Sequence, residues 1–324
     1  MLIDKFGRPI KYLRLSVTDR CNLRCYYCMP EEGIKFIAHK NLLTYEEMLR
    51  LCTILVKEGV EKIRITGGEP FVRKELLFFL RELTKIKGLK NIGITSNGLL
   101  TAQYLEELKT LGITDLNLSL DCLSEEKFLE ITRRKGLKEV LNTLELATKM
   151  GFKVKINTVV MGEKNKFELP ALARLAQKKP IDVRFIEEMP FNGGEEHQEA
   201  RLWTHQNIKD FLEAELQAPL VADIFESTAQ KYSIEGWQGK IGIIPAHSRT
   251  FCGSCDRLRM TAQGEIRNCL YAGKGYNIKD LMRSGATDAD LLAYFQQIVS
   301  KKAKNGFEAE NRSSGHDSMS IIGG

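Results

Sequence analysis

No apolar run in the 324-residue chain approaches the roughly twenty residues of a membrane span; the strand-like segments stop at five to eight. Residues 1–11 lack the apolar core of a secretory leader, so a cytoplasmic protein with no membrane partner is expected. There is no Lys/Arg tract. The net charge of +6 is interspersed, which argues against nucleic acid and suits an anionic small molecule. There is no Walker-type phosphate loop, so any phosphate must be held by side chains. No low-complexity tract and no long dimer helix are seen. The apolar fraction of 43% and charged fraction of 28% describe an ordinary globular chain, long enough for two domains or a barrel with an extension.

Cysteine is what the chain has in an informative pattern. Eight thiols in a reducing compartment are poor material for disulfides. Cys52 and Cys122 stand alone in apolar sequence and read as small buried hydrophobes. The other six form two groups, Cys21, Cys25 and Cys28, then Cys252, Cys255 and Cys269. Three thiols within eight residues make a soft-metal site with a position left open. Zinc, an iron–sulfur cluster and coincidental core packing compete for the first group. Structural zinc wants four protein ligands, and the nearest histidine, His39, lies in a polar loop. Three thiolates in one loop suit a cubane better, with Tyr26 and Tyr27 screening it from water. For the second group the zinc alternative would borrow His247.

Strand and helix patterns alternate through the first two-thirds. Strands read at 12–17, 62–66, 91–96, 115–120, 153–160 and 181–186. Helices read at 44–57, 74–85, 101–111, 125–131, 137–150 and 168–178. Thr44 with Glu47 forms a capping-box pattern, Ser124 is an N-cap, and Gly59, Gly112 and Gly151 stand at helix ends. Each strand alternates: Leu13, Leu15 and Val17 with Arg14 and Ser16; Ile63 and Ile65 with Arg64 and Thr66; Val154 and Ile156 with Lys155 and Asn157. A parallel sheet covered on both faces would read as continuous apolar runs. A polar, cationic face suits a curved sheet around a wet interior, with an exposed sheet face as the alternative. The expected fold is α/β, an incomplete (β/α)6 TIM-like barrel over residues 1–220. A C-terminal α+β extension, 221–324, carries the second thiol group. Before it a helix is read at 206–215, and within it a strand at 240–244, a hairpin pairing 258–261 with 265–268, and helices at 278–282 and 288–302.

Cys21-x3-Cys25-x2-Cys28 after the first strand, and Thr66-Gly67-Gly68-Glu69-Pro70 after the second, resemble the radical S-adenosylmethionine (SAM) superfamily. The resemblance implies that SAM binds the open iron and that its reductive cleavage gives a 5′-deoxyadenosyl radical. The glycines would let backbone carbonyls approach the methionyl amino group. The stretch Cys252-x2-Cys255-x13-Cys269, with Arg257 and Arg259 inside it and Gly323-Gly324 at the end, resembles the GTP 3′,8-cyclase family of molybdenum-cofactor biosynthesis. That resemblance runs nearly end to end and is looser over 187–198 and 303–318. It implies a radical SAM lyase acting on GTP, with two 4Fe–4S clusters. Cys21, Cys25 and Cys28 would carry the radical chemistry, and Cys252, Cys255 and Cys269 would bring a second open iron to guanine. Arg14, Arg64, Thr95, Lys155, Arg184, Arg257 and Arg259 would meet GTP. Tyr27, Gly68, Ser119 and Met189 would meet SAM, and the Gly-Gly tail would reach back into the site. Implied partners are an electron-donor protein, a cyclic pyranopterin monophosphate synthase taking the product, and one further copy or none. The alternatives are a peptide-modifying radical SAM maturase and a zinc-binding interaction protein.

Overall fold

Alternation along the strands sorts residues onto two faces. Leu13 and Leu15 of β1 (Tyr12–Ser16) and Ile63 and Ile65 of β2 (Lys62–Thr66) are completely buried. So are Ile94 of β3 (Asn91–Ser96), Leu118 of β4 (Asp115–Ser119), Ile156 of β5 (Lys153–Val160) and Val183 of β6 (Asp182–Glu187). These residues share one core with the apolar stripes of α1 (Tyr45–Lys57), α2 (Leu76–Thr84), α3 (Leu105–Thr110), α4 (Glu125–Thr132), α5 (Leu137–Lys149) and α6 (Leu169–Lys178). The six strands pair in parallel, in chain order. The computed structural model describes every residue except 31, 190–202, 224–227, 249–251, 274, 312–318 and 324. The loop read at 191–198 with Gly193-Gly194, Phe251 beside the second thiol group and the final Gly324 lie outside the described residues.

The last third of the chain supplies both flanks of the sheet. After α7 (His205–Leu216) come β7 (Val221–Ala222), β8 (Gln230–Ser233) and β9 (Lys240–Ile244), and β9 joins β6 in parallel. On the other side β10 (Arg257–Met260) runs parallel to β1 and forms the expected hairpin with β11 (Glu265–Arg267), followed by β12 (Tyr276–Asn277). Among the described residues the strands form one α/β, parallel-rich sheet, ordered β12-β11-β10-β1-β2-β3-β4-β5-β6-β9-β8-β7.

Local signals hold closely. Thr44 and Glu47 make the reciprocal capping box, and the Ser124 side chain accepts from the Lys127 backbone. Gly59, Gly112 and Gly151 take positive φ where α1, α3 and α5 end. The helix read at 101–111 opens instead as a 3-10 turn, because Thr101 is buried with its hydroxyl on Ser96 Oγ at 2.7 Å. The tail is more ordered than its polar sequence suggested. After α8 (Ile278–Arg283) and α9 (Asp288–Ser300) it forms α10 (Gly306–Asn311) and α11 (Met319–Ile322). Helix α9 stops two residues before the expected 302, which turns Lys302 inward. That residue is 2% exposed and donates to the carbonyls of Arg257 at 2.9 Å and Asn268 at 2.5 Å.

Arg8 ties the two ends of the chain together. Its Nε donates to Asp4 at 2.6 Å, its Nη1 to the carbonyls of Cys252 and Lys304, and its Nη2 to that of Ala303. Arg8 and Asp4 are both buried, so removing one partner strands a charge and three carbonyls. Arg8→Met is expected to cost about 3–5 kcal/mol of stability, measured by denaturant unfolding.

Candidate active site

The loop after β1 carries the first thiol group, and the loop after β2 holds it in place. Gly68 N donates to Thr18 O at 2.7 Å and Glu69 N to Arg20 O at 2.8 Å. A Cβ on Gly68 would lie 2.3 Å from Arg20 O, and one on Gly67 would lie 2.6 Å from Thr18 O. Both glycines are therefore required by contact between the protein's own loops, a reason the sequence reading did not supply. Glu69 is fully buried, accepting from Asn97 N at 2.7 Å, Ser96 Oγ at 2.9 Å and Phe71 N at 3.2 Å. Burial pushes its carboxyl up to about 7 against those hydrogen bonds. Asn97 passes the contact on, its Nδ2 reaching Asn22 Oδ1 at 2.7 Å and Cys21 Sγ at 3.6 Å. Leu23 N also points at Cys21 Sγ, at 3.4 Å. Tyr27 donates to Asp121 Oδ2 at 2.9 Å.

The three thiols are close enough to interact. Burial first, then Asp121, Cys28 and Cys21, push the Cys25 thiol well above its ordinary value; burial and Glu69 push Cys21 to about 11. Such thiols give up protons only to a strong cation, as metal ligation supplies. N–H donors aimed at sulfur are the surroundings a metal-bound thiolate keeps.

At the opposite, N-terminal end of the strands the charges converge. Asp115 is 5% exposed and accepts from Lys155 at 2.8 Å on Oδ1, and from Arg64 at 2.9 Å and Lys62 at 3.1 Å on Oδ2. Burial works to raise its carboxyl, but Arg64, Lys155 and Lys62 hold it well below the usual range. Arg64, Gly93 and Asp115 stand side by side on β2, β3 and β4. A Cβ on Gly93 would lie 2.7 Å from Arg64 Nη2, so the glycine leaves the lane through which Arg64 reaches Asp115. Arg64, itself 3% exposed, also donates to Tyr12 Oη at 2.9 Å and Ile94 O at 3.1 Å.

A cavity of about 640 Å³ joins the two ends. It is lined by every expected residue outside the second thiol group: Arg14, Cys21, Cys25, Tyr27, Cys28, Arg64, Gly68, Thr95, Ser119, Lys155, Arg184, Met189, Arg257 and Arg259. Thr66 Oγ1, Thr95 Oγ1, Asn117 Oδ1, Asn157 Oδ1 and Arg184 Nε line it as buried polar atoms with no protein partner. Orphaned polar atoms on a cavity wall are the mark of a ligand site. Gly323 enters from the tail, its carbonyl accepting from Arg259 Nη1 at 3.2 Å, and a Cβ there would lie 2.8 Å from Ser16 Cβ.

Cys252, Cys255 and Cys269 lie beyond the cavity wall, each partly exposed. They too interact: burial raises the Cys269 thiol, with contributions from Cys255 and Cys252, while Lys302 and Arg257 bring Cys255 down despite its burial. Gly306 N points at Cys252 Sγ at 3.3 Å. Among the described residues no three His, Cys, Asp or Glu side chains group as they would around a single ion.

Residues 15–176 match the radical SAM superfamily, and residues 181–308 match the family described as Molybdenum Cofactor Synthesis C. The GTP 3′,8-cyclase of Rhodopirellula baltica is 38% identical over all of this chain and 92% of its own. That of Syntrophomonas wolfei is 39% identical over 96% of this chain and 98% of its own. This chain belongs to the GTP 3′,8-cyclase family. Human molybdenum cofactor biosynthesis protein 1 is 40% identical over 94% of this chain, which spans only 48% of that relative's length. Streptococcus suis SuiB shares the fold, with a TM-score of 0.61 at 12% identity over 92% of this chain and 67% of its own.

Tyr12, Asp115 and Asn97 were not anticipated as site residues of this family member. An anion among cations on one sheet face was the available signal for Asp115, and alternation with Arg14 was the signal for Tyr12. Gly68→Ala is expected to drive a Cβ into backbone rather than a yielding side chain. It should cut the iron retained after anaerobic reconstitution by more than half, while Gly93→Ala, which meets only the tip of Arg64, retains its iron.

Proposed function

We propose that the protein converts GTP to (8S)-3′,8-cyclo-7,8-dihydroguanosine 5′-triphosphate, the first step of molybdopterin biosynthesis, as a radical SAM lyase. The observation that carries this reading is one cavity lined by a thiol triad at one end, a cationic cluster at the other, and Arg257 and Arg259 from the strand next to the second triad. Relatives alike over almost their whole length support it.

The sheet is read as an incomplete six-unit barrel. In support, Arg184 on β6 feels the charge of Tyr12 on β1, although five strand spacings in a flat sheet would separate them by about 24 Å. Residues 1–220 are proposed as the radical SAM part and 221–324 as the auxiliary-cluster extension, sharing one sheet.

Cys21, Cys25 and Cys28 would hold one 4Fe–4S cluster and Cys252, Cys255 and Cys269 another. With SAM bound, the first cluster would supply the radical chemistry that opens the ribose C3′–H bond and lets C3′ join C8 of guanine, with the electron and proton that complete the dihydro product supplied by the electron donor and solvent. The chain's own work is placement. Tyr27, fixed by Asp121, closes the cavity beside the thiols, and Gly68, Ser119 and Met189 form the SAM wall. Arg14, Thr95, Lys155, Arg184, Arg257 and Arg259 orient the nucleotide, guanidinium forks matching phosphate oxygens. Arg64, expected as a GTP contact, is proposed to act from behind, since three of its donors already serve Tyr12, Asp115 and Ile94. Gly323 narrows the space against Ser16 and Thr66. A cytoplasmic setting, an electron-donor protein, a cyclic pyranopterin monophosphate synthase as next enzyme, and a monomer or homodimer complete the proposal.

Under anaerobic assay with SAM and GTP, 5′-deoxyadenosine should appear in step with GTP loss, in protein holding about eight iron and eight labile sulfide per chain. Deoxyadenosine formed equally without GTP overturns the substrate; four iron per chain overturns the second cluster. Arg257→Glu with Arg259→Glu should weaken GTP binding at least a hundredfold, read by equilibrium dialysis.

A further inference from the structure

Tyr12 sits in the cationic foot of the cavity with no carboxylate among its hydrogen-bond partners in the described residues. Among the described residues its oxygen accepts from Arg64 Nε at 2.9 Å, and the charge of Arg14, two residues on along the same strand, acts on it as well. Arg257 lies over its ring with Cζ 5.2 Å from the centroid, and Lys62 with Nζ at 5.4 Å. A guanidinium donor on the phenol oxygen, with two more cations over the ring, is an arrangement that an oxyanion satisfies better than a neutral hydroxyl.

We propose that the Tyr12 oxygen is the resident anion of the phosphate site, held by Arg64 among the cations of the cavity foot in the free protein, and that it takes up a proton when a polyphosphate arrives. This rests on the reading that the GTP triphosphate occupies the cationic foot. A triphosphate there brings several negative charges beside the phenol, and like charges so close do not both persist. Protonating the phenol removes the conflict and frees guanidinium donors for phosphate.

The charged surroundings agree in sign. From its own strand Tyr12 faces Arg14; from β2, Lys62 and Arg64; from β10, Arg257 and Arg259; from β6, Arg184. The nearby anions each pair with cations of the same cluster. Asp115 is engaged by Lys62, Arg64 and Lys155, Asp182 lies 3.6 Å from Arg184, and Asp256 lies 3.9 Å from Arg257. Burial works to raise the phenol, but Arg64, Arg14, Arg257 and Lys62 bring it down to about 7.

The sign of the linkage follows. In the free protein the phenol is ionised above about pH 7, and in the complex its pKa is higher. Between the two values the complex holds one more proton than the free protein. Binding there takes up a proton and weakens by up to about tenfold per pH unit as pH rises; below both values the effect vanishes.

The test is anaerobic calorimetric titration of GTP into cluster-loaded protein near pH 8, repeated in buffers of different ionisation heat. Wild type is expected to take up close to one proton more per GTP than Tyr12→Phe, and the variant's affinity should lose the corresponding pH slope. Equal proton uptake in the two proteins overturns the inference. Absence of GTP binding to the wild type overturns the phosphate reading itself. A second measurement needs no variant: the near-ultraviolet phenolate absorbance of the wild type should fall when GTP is added at the same pH. A phenolate band unchanged by saturating GTP overturns the inference as well.

Discussion

Three cations from two strands meet one buried carboxylate at the foot of the sheet. A parallel sheet normally covers both faces with apolar side chains, and an unpaired charge on either face would be expelled or neutralised. Asp115 removes that conflict. It lets Lys62, Arg64 and Lys155 face inward without leaving a buried cation alone, and the remaining basic side chains keep the cavity net positive. A cationic cavity and a stable fold make opposite demands on these strands, and one aspartate reconciles them. Gly93 belongs to the same solution, because any side chain there would stand between Arg64 and its partner.

The upper end of the cavity is organised by backbone rather than charge. The Gly67-Gly68 turn lies against the carbonyls of Thr18 and Arg20, Glu69 carries that contact to Asn97, and Asn97 reaches Cys21. The thiol loop is thus registered against β2 and β3 before any metal arrives. Radical chemistry is intolerant of misplacement, and a loop positioned by two neighbouring strands holds its ligands better than one tethered only at its ends.

Much of this was legible in the sequence, for identifiable reasons. Period-two alternation gave the six strands and the polar face directly, since it is the sheet's own geometry written in residue type. Thiol spacing and the Gly-Gly turn located the upper site. Tyr12 and Asp115 were less visible, because their roles depend on which strands become neighbours and in what register. The alignment of Arg64, Gly93 and Asp115 spans 51 residues of chain and exists only once β2, β3 and β4 have paired. The order of the tail likewise rests on long-range packing, with Ile322 buried against Tyr271, Ala303 and Ala309.

The pairing of β1 with β10 has a consequence for how the chain is made. Tyr12 and Arg257 are register partners separated by most of the sequence. At ribosomal rates of about 5–20 residues per second, β1 waits roughly 12–50 s for that neighbour. Meanwhile it presents an open strand edge, the usual template for intermolecular pairing. Arg14 on that strand, alternating with leucines, is the kind of charge that discourages such pairing. The residue proposed to serve the nucleotide is thereby also the charge that interrupts the apolar run of that open strand.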